Sequence, residues 1–175
     1  PYSPGRGPSF APGPDRSMGT GLKERLLEMP LAYRLWQAPF VEKKLRPLRA
    51  HNDMAAVRRV LDIGCGPGTN TAHFAGADYL GIDVNPRYIA AARRRTGRDF
   101  LVQDATTYRV EGEGRFDFIL LNSFLHHVGD GEAAALLEHA ATLLAPGGHV
   151  HILDLVLPAR PGPARLLARL DRGRH

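Results

Sequence analysis

Residues 60–69 read VLDIGCGPGT, an apolar run that leads straight into a glycine-rich turn. Glycine reaches positive φ angles and has no side chain to keep a ligand away from the backbone. Three glycines at alternate positions, Gly64, Gly66 and Gly68, therefore predict a turn on which a ligand lies. A strand followed by such a turn and then by a helix is typical of the first unit of a doubly wound α/β sheet.

Short apolar runs and helical patterns alternate after residue 57, which predicts an α/β fold with a doubly wound, mostly parallel sheet. Strands are predicted at Arg59–Ile63, Tyr79–Asp83, Phe100–Gln103, Phe116–Leu121 and His149–Leu155. Helices are predicted at Thr69–Ala75, Pro86–Arg95 and Glu132–Leu144. Asn85 is the expected N-cap of the second helix, and Pro146-Gly147-Gly148 is expected to end the third.

The chain of 175 residues, with a hydrophobic share of 43%, is long enough for one domain with a single core. Residues 1–20 are rich in Pro, Gly and Ser and are predicted to be a disordered tail. Within that tail, residues 1–17 are expected to be an extension ahead of Met18. Residues 21–56 are predicted to form helices that cap the core at 57–157, and 158–175 an Arg-rich helix or tail.

Composition also argues against several classes of protein. There is no long apolar run and no signal-peptide pattern, so we expect a cytoplasmic protein with no membrane partner. The single cysteine, Cys65, and the lack of a Cys/His cluster predict neither a disulfide nor a metal site. The net charge is +5, but residues 61–156 carry 7 Lys/Arg against 12 Asp/Glu, so a nucleic-acid partner is not expected.

The spacing of the glycines, G-x-G-x-G, differs from the G-x-G-x-x-G of dinucleotide-binding turns, because Thr69 stands at the third glycine position. From Val60 to Val156 the sequence resembles the class I S-adenosylmethionine-dependent methyltransferases. Within that superfamily it is most similar to small-molecule methyltransferases of the ubiquinone and menaquinone biosynthesis type. The resemblance implies a Rossmann-like fold, with S-adenosylmethionine as cofactor and S-adenosylhomocysteine as product.

The resemblance also implies which residues hold the cofactor. Its methionine and ribose parts are expected to lie against Asp62, Gly64, Cys65, Gly66 and Gly68. The next motif ends in Asp83 and Val84, and an acid at Asp83 can accept two hydrogen bonds from the ribose hydroxyls. The segment Val102–Ala105 resembles the adenine-binding turn, in which Asp104 accepts from the adenine amino group and the N–H of Ala105 donates to the ring.

The fourth apolar run opens into a polar loop, Asn122–His127. Ligands bind at the carboxyl ends of strands in a doubly wound sheet, so Asn122 and this loop are expected to contact the cofactor and the acceptor. His126 and His127 are the candidate catalytic residues, since a histidine of near-neutral pKa can take a proton from an acceptor. The alternative is that they shape the pocket. His149 and His151 are expected to be buried in the fifth strand.

The implied reaction is an in-line displacement, for which the protein mainly has to align donor and acceptor. The loop Leu121–Phe124 departs from the N/D-P-P-Y/F pattern of enzymes that methylate nucleobase amino groups, and Cys65 lies in the cofactor loop rather than beside the acceptor. A small organic acceptor is therefore expected. The alternatives are a catalytically incomplete cofactor-binding domain that acts through a protein or RNA partner, and an NAD(P)-binding domain.

The end of the chain departs from the family pattern. Members of the superfamily usually finish with two more strands, and no strand pair is predicted after the fifth. We therefore expect a five-stranded sheet in the order 3-2-1-4-5, either truncated or completed by a partner chain. An exposed fifth-strand edge favours pairing with another copy, so a homo-oligomer is a further expectation.

Overall fold

The computed structural model describes residues 45–110 and 115–154 of the chain. The strands are β1 Arg59–Ile63, β2 Asp78–Asp83, β3 Asp99–Val102, β4 Phe116–Asn122 and β5 Leu144–Leu153. They form one sheet in the order β3-β2-β1-β4-β5, and every pairing is parallel. The carboxyl ends of all five strands therefore meet at one edge of the sheet. Both the predicted fold class and the predicted strand order are confirmed.

Helices connect the strands, and the start of the first is set by its capping residue. Helix α1 spans Pro86–Thr96, and the side chain of its N-cap Asn85 accepts a hydrogen bond from the Arg87 N–H, as the sequence predicts. Helix α2 spans Asp130–Thr142. The segment after β1 is a 3-10 helix, Thr69–Phe74, rather than an α-helix, and a second 3-10 helix covers Leu125–His127. Residues 45–51 are also helical.

The central strands β1 and β4 are buried on both faces of the sheet. One face packs against α1 and residues 45–51 through an apolar cluster that includes Leu45 and Phe118. The other face packs against α2 through a second cluster that includes Ile119 and Leu136. Neighbouring residues of β4 thus point to opposite sides, as strand geometry requires. Burial on both faces explains why these two strands appear in the sequence as continuous apolar runs.

The fifth strand differs from its prediction at the start. It begins at Leu144 rather than His149. It therefore includes Pro146, Gly147 and Gly148, which the sequence predicts to end the preceding helix. The register with β4 shifts between Phe116 and Phe118, and Gly147 has a φ of 78°. A bulge of this kind adds residues to one strand only. Regular pairing with β4 starts at His149, so the predicted start matches the regular part of the strand.

The prediction that both histidines of β5 are buried is wrong. His149 is exposed and His151 is half-buried, because β5 lies at the edge of the described sheet. The ring of His151 stacks on Phe118, with centroids 4.0 Å apart. Burial, followed by the charge of His149, lowers the pKa of His151.

Several predictions concern residues outside the described ranges. They include the tail at 1–20, most of the helices at 21–56, the helix or tail at 158–175, the lack of further strands, and pairing through the β5 edge. These stay predictions. None of the helices described within 45–110 and 115–154 has the length and apolarity needed to cross a bilayer. The predicted cytoplasmic location also stays a prediction.

Candidate cofactor site

The turn after β1 has the conformation that its glycines allow. Gly64, Gly66 and Gly68 have φ angles of 68°, 52° and 71°, which other residues rarely adopt. The N–H groups of Gly64 and Cys65 donate to the carbonyl oxygen of Ile82 at 2.9 and 3.1 Å. These two hydrogen bonds hold the loop, with its backbone bent sharply, against the carboxyl end of β2.

Asp83, the last residue of β2, connects this loop to the start of α1. Its Oδ2 accepts the Gly66 N–H at 2.9 Å, and its Oδ1 accepts the Asn85 N–H at 2.8 Å. A carboxylate has about four acceptor positions, so each oxygen keeps capacity for a ligand. Burial raises the pKa of Asp83, and the two backbone N–H groups offset part of that rise. The side chain is thus a fixed, half-buried acceptor at the edge of the sheet.

A cavity of about 560 Å³ opens beside Asp83 at this edge. Its wall is formed by β2, by the loops after β1, β3 and β4, and by α2: Gly64, Ile82, Asp83, Val84, Gln103, Asp104, Ala105, Thr106, Phe124, His127, Val128, Glu132, Ala135 and Leu136. A volume of this size is typical of sites for small molecules and cofactors. Six of the residues predicted from the sequence line it: Gly64, Asp83, Val84, Asp104, Ala105 and His127.

The turn after β3 brings a second carboxylate to the cavity. The Oδ1 of Asp104 accepts from both the N–H and the hydroxyl of Thr106, each at 2.8 Å. These two hydrogen bonds lower the pKa of Asp104, with the hydroxyl contributing most. The carboxylate is therefore negatively charged at neutral pH and held in one orientation. Ala105 beside it is buried, whereas Val84 is 68% exposed on the cavity wall.

Asp62 lies behind the glycine loop rather than on the cavity wall. Its side chain is fully buried, and its Oδ2 accepts from the Tyr79 hydroxyl and from the Asn70 amide, the latter at 2.9 Å. Its Oδ1 has no hydrogen-bond partner among the described residues. Burial raises the pKa of Asp62 to about 6, although the hydrogen bonds from Tyr79 and Asn70 act in the opposite direction. A buried carboxylate with one unmatched oxygen is costly for the fold.

Other predicted cofactor residues also lie outside the cavity wall. The thiol of Cys65 is buried in the core, and that burial raises its pKa. Gly66 and Gly68 shape the loop through their backbone. Asn122 donates from its side-chain amide to Asn70 Oδ1 at 3.0 Å, which links the end of β4 to the network around Asp62. Contacts of these residues with a cofactor stay predictions.

The loop after β4 faces the cavity from the opposite side. Ser123 has a φ of 57°, and the ring of Phe124 follows it onto the cavity wall. His126 is turned away from the cavity: its Nδ1 lies 2.5 Å from Asp154 Oδ1, and its N–H donates to Asp154 Oδ2 at 3.2 Å. His127 lines the cavity, and its ring lies 3.9 Å from that of His126. The two candidate catalytic residues therefore have different surroundings.

Four important residues were not singled out from the sequence: Phe124, Asp154, Asn70 and Tyr79. Asn70 and Tyr79 are 8 and 17 positions from Asp62. Their contacts with it depend on how the 3-10 helix and β2 pack, which no local motif encodes. A polar residue at the end of an apolar strand, as at Asp154, is a general signal for this edge of the sheet. Phe124 carried no signal of its own beyond its place within the loop Asn122–His127, which the sequence predicts to contact the ligands.

A family model described as a methyltransferase domain matches residues 60–148 of the chain. The match covers half of the chain, and together with the fold it shows that this chain belongs to the class I S-adenosylmethionine-dependent methyltransferases. The predicted family is thereby confirmed.

Particular relatives agree with that class. The trans-aconitate 2-methyltransferase of Methylobacterium radiotolerans is 37% identical over 117 residues, which are 62% of this chain and 44% of that protein. The ubiquinone biosynthesis O-methyltransferase of Aromatoleum aromaticum is 32% identical over 83% of this chain and 70% of that protein. This chain thus spans about half the length of the trans-aconitate methyltransferases that it matches.

A solved structure shares the fold. The N-methyltransferase NodS from Bradyrhizobium japonicum WM9, in complex with S-adenosyl-L-homocysteine, is 28% identical and superposes with a TM-score of 0.61. The similarity covers 74% of this chain and 69% of NodS.

Proposed function

We propose that this chain binds S-adenosylmethionine in the cavity beside Asp83 and transfers its methyl group to a small organic acceptor. The observation that carries the proposal is the carboxylate of Asp83, which lines the cavity and keeps acceptor capacity beyond its two backbone hydrogen bonds. A ribose offers two neighbouring hydroxyl donors of the kind that such a carboxylate accepts. Family membership and a relative solved with S-adenosyl-L-homocysteine support the same ligand.

The turn after β3 is proposed to hold the adenine. The fixed carboxylate of Asp104 accepts from the amino group of the base, and the N–H of Ala105 donates to the ring. Val84 offers an exposed apolar surface at the same part of the wall. The backbone of the glycine loop at Gly64, which lines the cavity beside the Phe124 ring, is proposed to hold the methionine part. Asp62, Cys65 and Asn122 do not line the cavity, so a ligand in the cavity would have to extend past its wall to contact them.

S-adenosylmethionine supplies a methyl group on a positively charged sulfonium, which a lone pair of the acceptor displaces in line. The task of the protein is to align the two molecules and exclude water, which can contribute about 7 to 11 kcal/mol. Phe124 and Val128 provide apolar wall for this purpose. His127 is proposed to take the proton when the acceptor is a hydroxyl. His126, which is hydrogen-bonded to Asp154, is proposed to position the loop.

A small organic acceptor is proposed from two observations. The relatives are named for trans-aconitate and for ubiquinone biosynthesis, which are small-molecule chemistry. The core carries more acidic than basic residues, which does not favour a nucleic-acid acceptor.

Calorimetric titration of the chain with S-adenosylmethionine, S-adenosylhomocysteine and NADH tests the proposal. We expect binding of the first two, and an Asp83→Ala variant should weaken both roughly 10- to 100-fold, since two hydrogen bonds to a charged acceptor are lost. Asp78→Ala is the matched control, because Asp78 also lies on β2 but pairs with Arg59 at the opposite end. Tight NADH binding without S-adenosylmethionine binding would contradict the proposal.

A further inference from the structure

The ring of Phe124 lies directly on the glycine loop. A Cβ atom built on Gly64 would stand 2.1 Å from Phe124 Cδ2, so the ring fills the space in front of that glycine. Both residues line the cavity. The ring therefore joins the loop after β1 to the loop after β4 and forms the wall between them.

The backbone on both sides of Phe124 is held in place. Ser123 adopts a left-handed conformation, with a φ of 57°, and its N–H donates to Leu153 O at 2.7 Å. On the other side, the N–H of His127 donates to Phe124 O at 3.0 Å and closes the 3-10 helix. A non-glycine residue with positive φ is uncommon and is maintained only by its surroundings. These contacts direct the aromatic side chain toward the cavity rather than toward solvent.

The chemistry of the ligand identifies what this ring meets. In S-adenosylmethionine the sulfonium stands between the ribose and the methionine chain. With the ribose at Asp83 and the methionine at the glycine loop, the sulfonium lies near Gly64 and therefore beside Phe124. Aromatic faces attract cations, and more strongly where water is excluded. The product, S-adenosylhomocysteine, is a neutral thioether and lacks this attraction.

We propose that Phe124 is a specificity-determining residue that favours the cationic methyl donor over its neutral product. This inference rests on the proposed function, because it assumes S-adenosylmethionine in the cavity. Methyl transfer removes the positive charge and with it the attraction to the ring, so the site binds the product less tightly. Phe124 therefore also favours product release. The acidic side chains of Asp83, Asp104 and Glu132 lie on the same cavity wall and also distinguish the two ligands by charge.

The test measures both affinities by calorimetry on the wild type, Phe124→Leu and Phe124→Tyr. In Phe124→Leu the ratio of S-adenosylmethionine to S-adenosylhomocysteine affinity should fall roughly 3- to 30-fold, because the apolar volume remains while the π-face is lost. Phe124→Tyr keeps the ring and should restore the wild-type ratio. Thermal melting without ligand shows whether each variant is folded.

Two controls separate the ring from other causes. Val84→Ala removes apolar wall where the adenine is proposed to lie and should weaken both ligands without changing their ratio. Glu132→Gln reports any contribution of that carboxylate to the ratio. An unchanged ratio in a folded Phe124→Leu variant overturns the inference and leaves the proposed function intact. A wild type that binds neither ligand refutes the proposed function itself, and the inference with it.

Discussion

The two sides of the cavity are built in different ways. On the side proposed for the methyl donor (the donor side), formed by the loops after β1, β2 and β3, backbone groups provide most of the hydrogen bonds: Asp83 is held by two N–H groups and the glycine loop by the carbonyl of Ile82. On the side proposed for the acceptor (the acceptor side), formed by the loop after β4, groups from segments distant in sequence hold each other: Asp154, which follows β5, accepts the backbone N–H of His126 and contacts its ring Nδ1. The hydrogen bonds of Asp83 span 17 and 2 positions of the chain, whereas that of His126 with Asp154 spans 28, so the donor side is built from a shorter stretch of sequence.

This difference has a consequence for function. A donor site made from backbone geometry and a few carboxylates serves the same ligand in many proteins. An acceptor site made from side chains of distant segments can change its ligand through a few substitutions. The donor side also contains the less favourable interactions, since Asp62 is a fully buried carboxylate behind the loop.

The largest expected effect is at the contact between the two sides. Gly64→Ala should cost about 2 to 4 kcal/mol of the free energy of unfolding, because strain at φ 68° adds to overpacking against Phe124. Gly97→Ala is a matched control with φ 66° and open space around its Cβ position, so only the strain of about 1 kcal/mol remains. Urea denaturation measures both. Equal losses in the two variants would mean that the Phe124 ring moves aside freely.

The second prediction concerns the buried carboxylate of the donor side. The pKa of Asp62 is about 6 in the folded state against an ordinary value of 3.8, so the folded state holds the proton more tightly than the unfolded state does. The contribution of Asp62 to the free energy of unfolding is therefore highest below pH 4, where its carboxyl group is protonated in both states. It falls by about 3 kcal/mol in total as the pH rises through 6.

Asp62→Asn removes this titration. The difference in unfolding free energy between variant and wild type should grow in favour of the variant from pH 4 to pH 7, as measured by urea denaturation at each pH. Tyr79→Phe keeps the carboxyl group but removes a hydrogen bond that lowers its pKa, so the midpoint should move above 6. A difference between Asp62→Asn and the wild type that does not vary with pH would contradict the assignment.

A smaller effect is expected on the acceptor side. Asp154→Asn removes the charge that faces His126 Nδ1 and should cost about 1 to 2 kcal/mol of unfolding free energy. Because this contact is separate from the cavity wall around Asp83, the affinity for S-adenosylhomocysteine should stay within about twofold of the wild type. If calorimetry shows a large loss of affinity for S-adenosylhomocysteine, the two sides of the cavity are coupled.

The smallest effect is predicted at the edge of the donor side. Asp104 is exposed and bonds to Thr106, so Asp104→Asn should leave thermal stability almost unchanged. Loss of one charged acceptor for the adenine amino group should still weaken S-adenosylmethionine binding roughly 3- to 10-fold. Thr106→Val serves as a control for the turn itself. If Asp104→Asn binds as tightly as the wild type, the adenine assignment is wrong.

The sequence predicted β1 and β4 well because burial on both faces makes them continuous apolar runs, and it predicted α1 through the cap at Asn85. The glycine spacing and the resemblance to the family pointed to five residues that line the cavity, because those motifs lie directly after the strands: Gly64, Asp83, Val84, Asp104 and Ala105. The bulge in β5 was missed because a proline and two glycines look the same in a helix stop and in an irregular strand.

What local patterns did not reveal depends on packing over long sequence separations. Asp62 is the acidic residue expected in the motif, but its burial against Tyr79 follows from the register of β1 with β2. The direction of the Phe124 ring follows from the left-handed turn at Ser123 and its hydrogen bond to Leu153. Side-chain direction after a strand is therefore harder to predict than the strand itself.

The most direct test is where the ligand binds. Titration of the isotope-labelled chain with S-adenosylhomocysteine, followed by amide chemical shifts, should perturb Gly64, Val84, Ala105 and Phe124 on the cavity wall. The amides of Gly76 and Gly97, which lie outside that wall, should stay unchanged. Shifts confined to residues away from the cavity, or no shifts at saturating ligand, would contradict a methyl-donor site between Asp83 and Phe124.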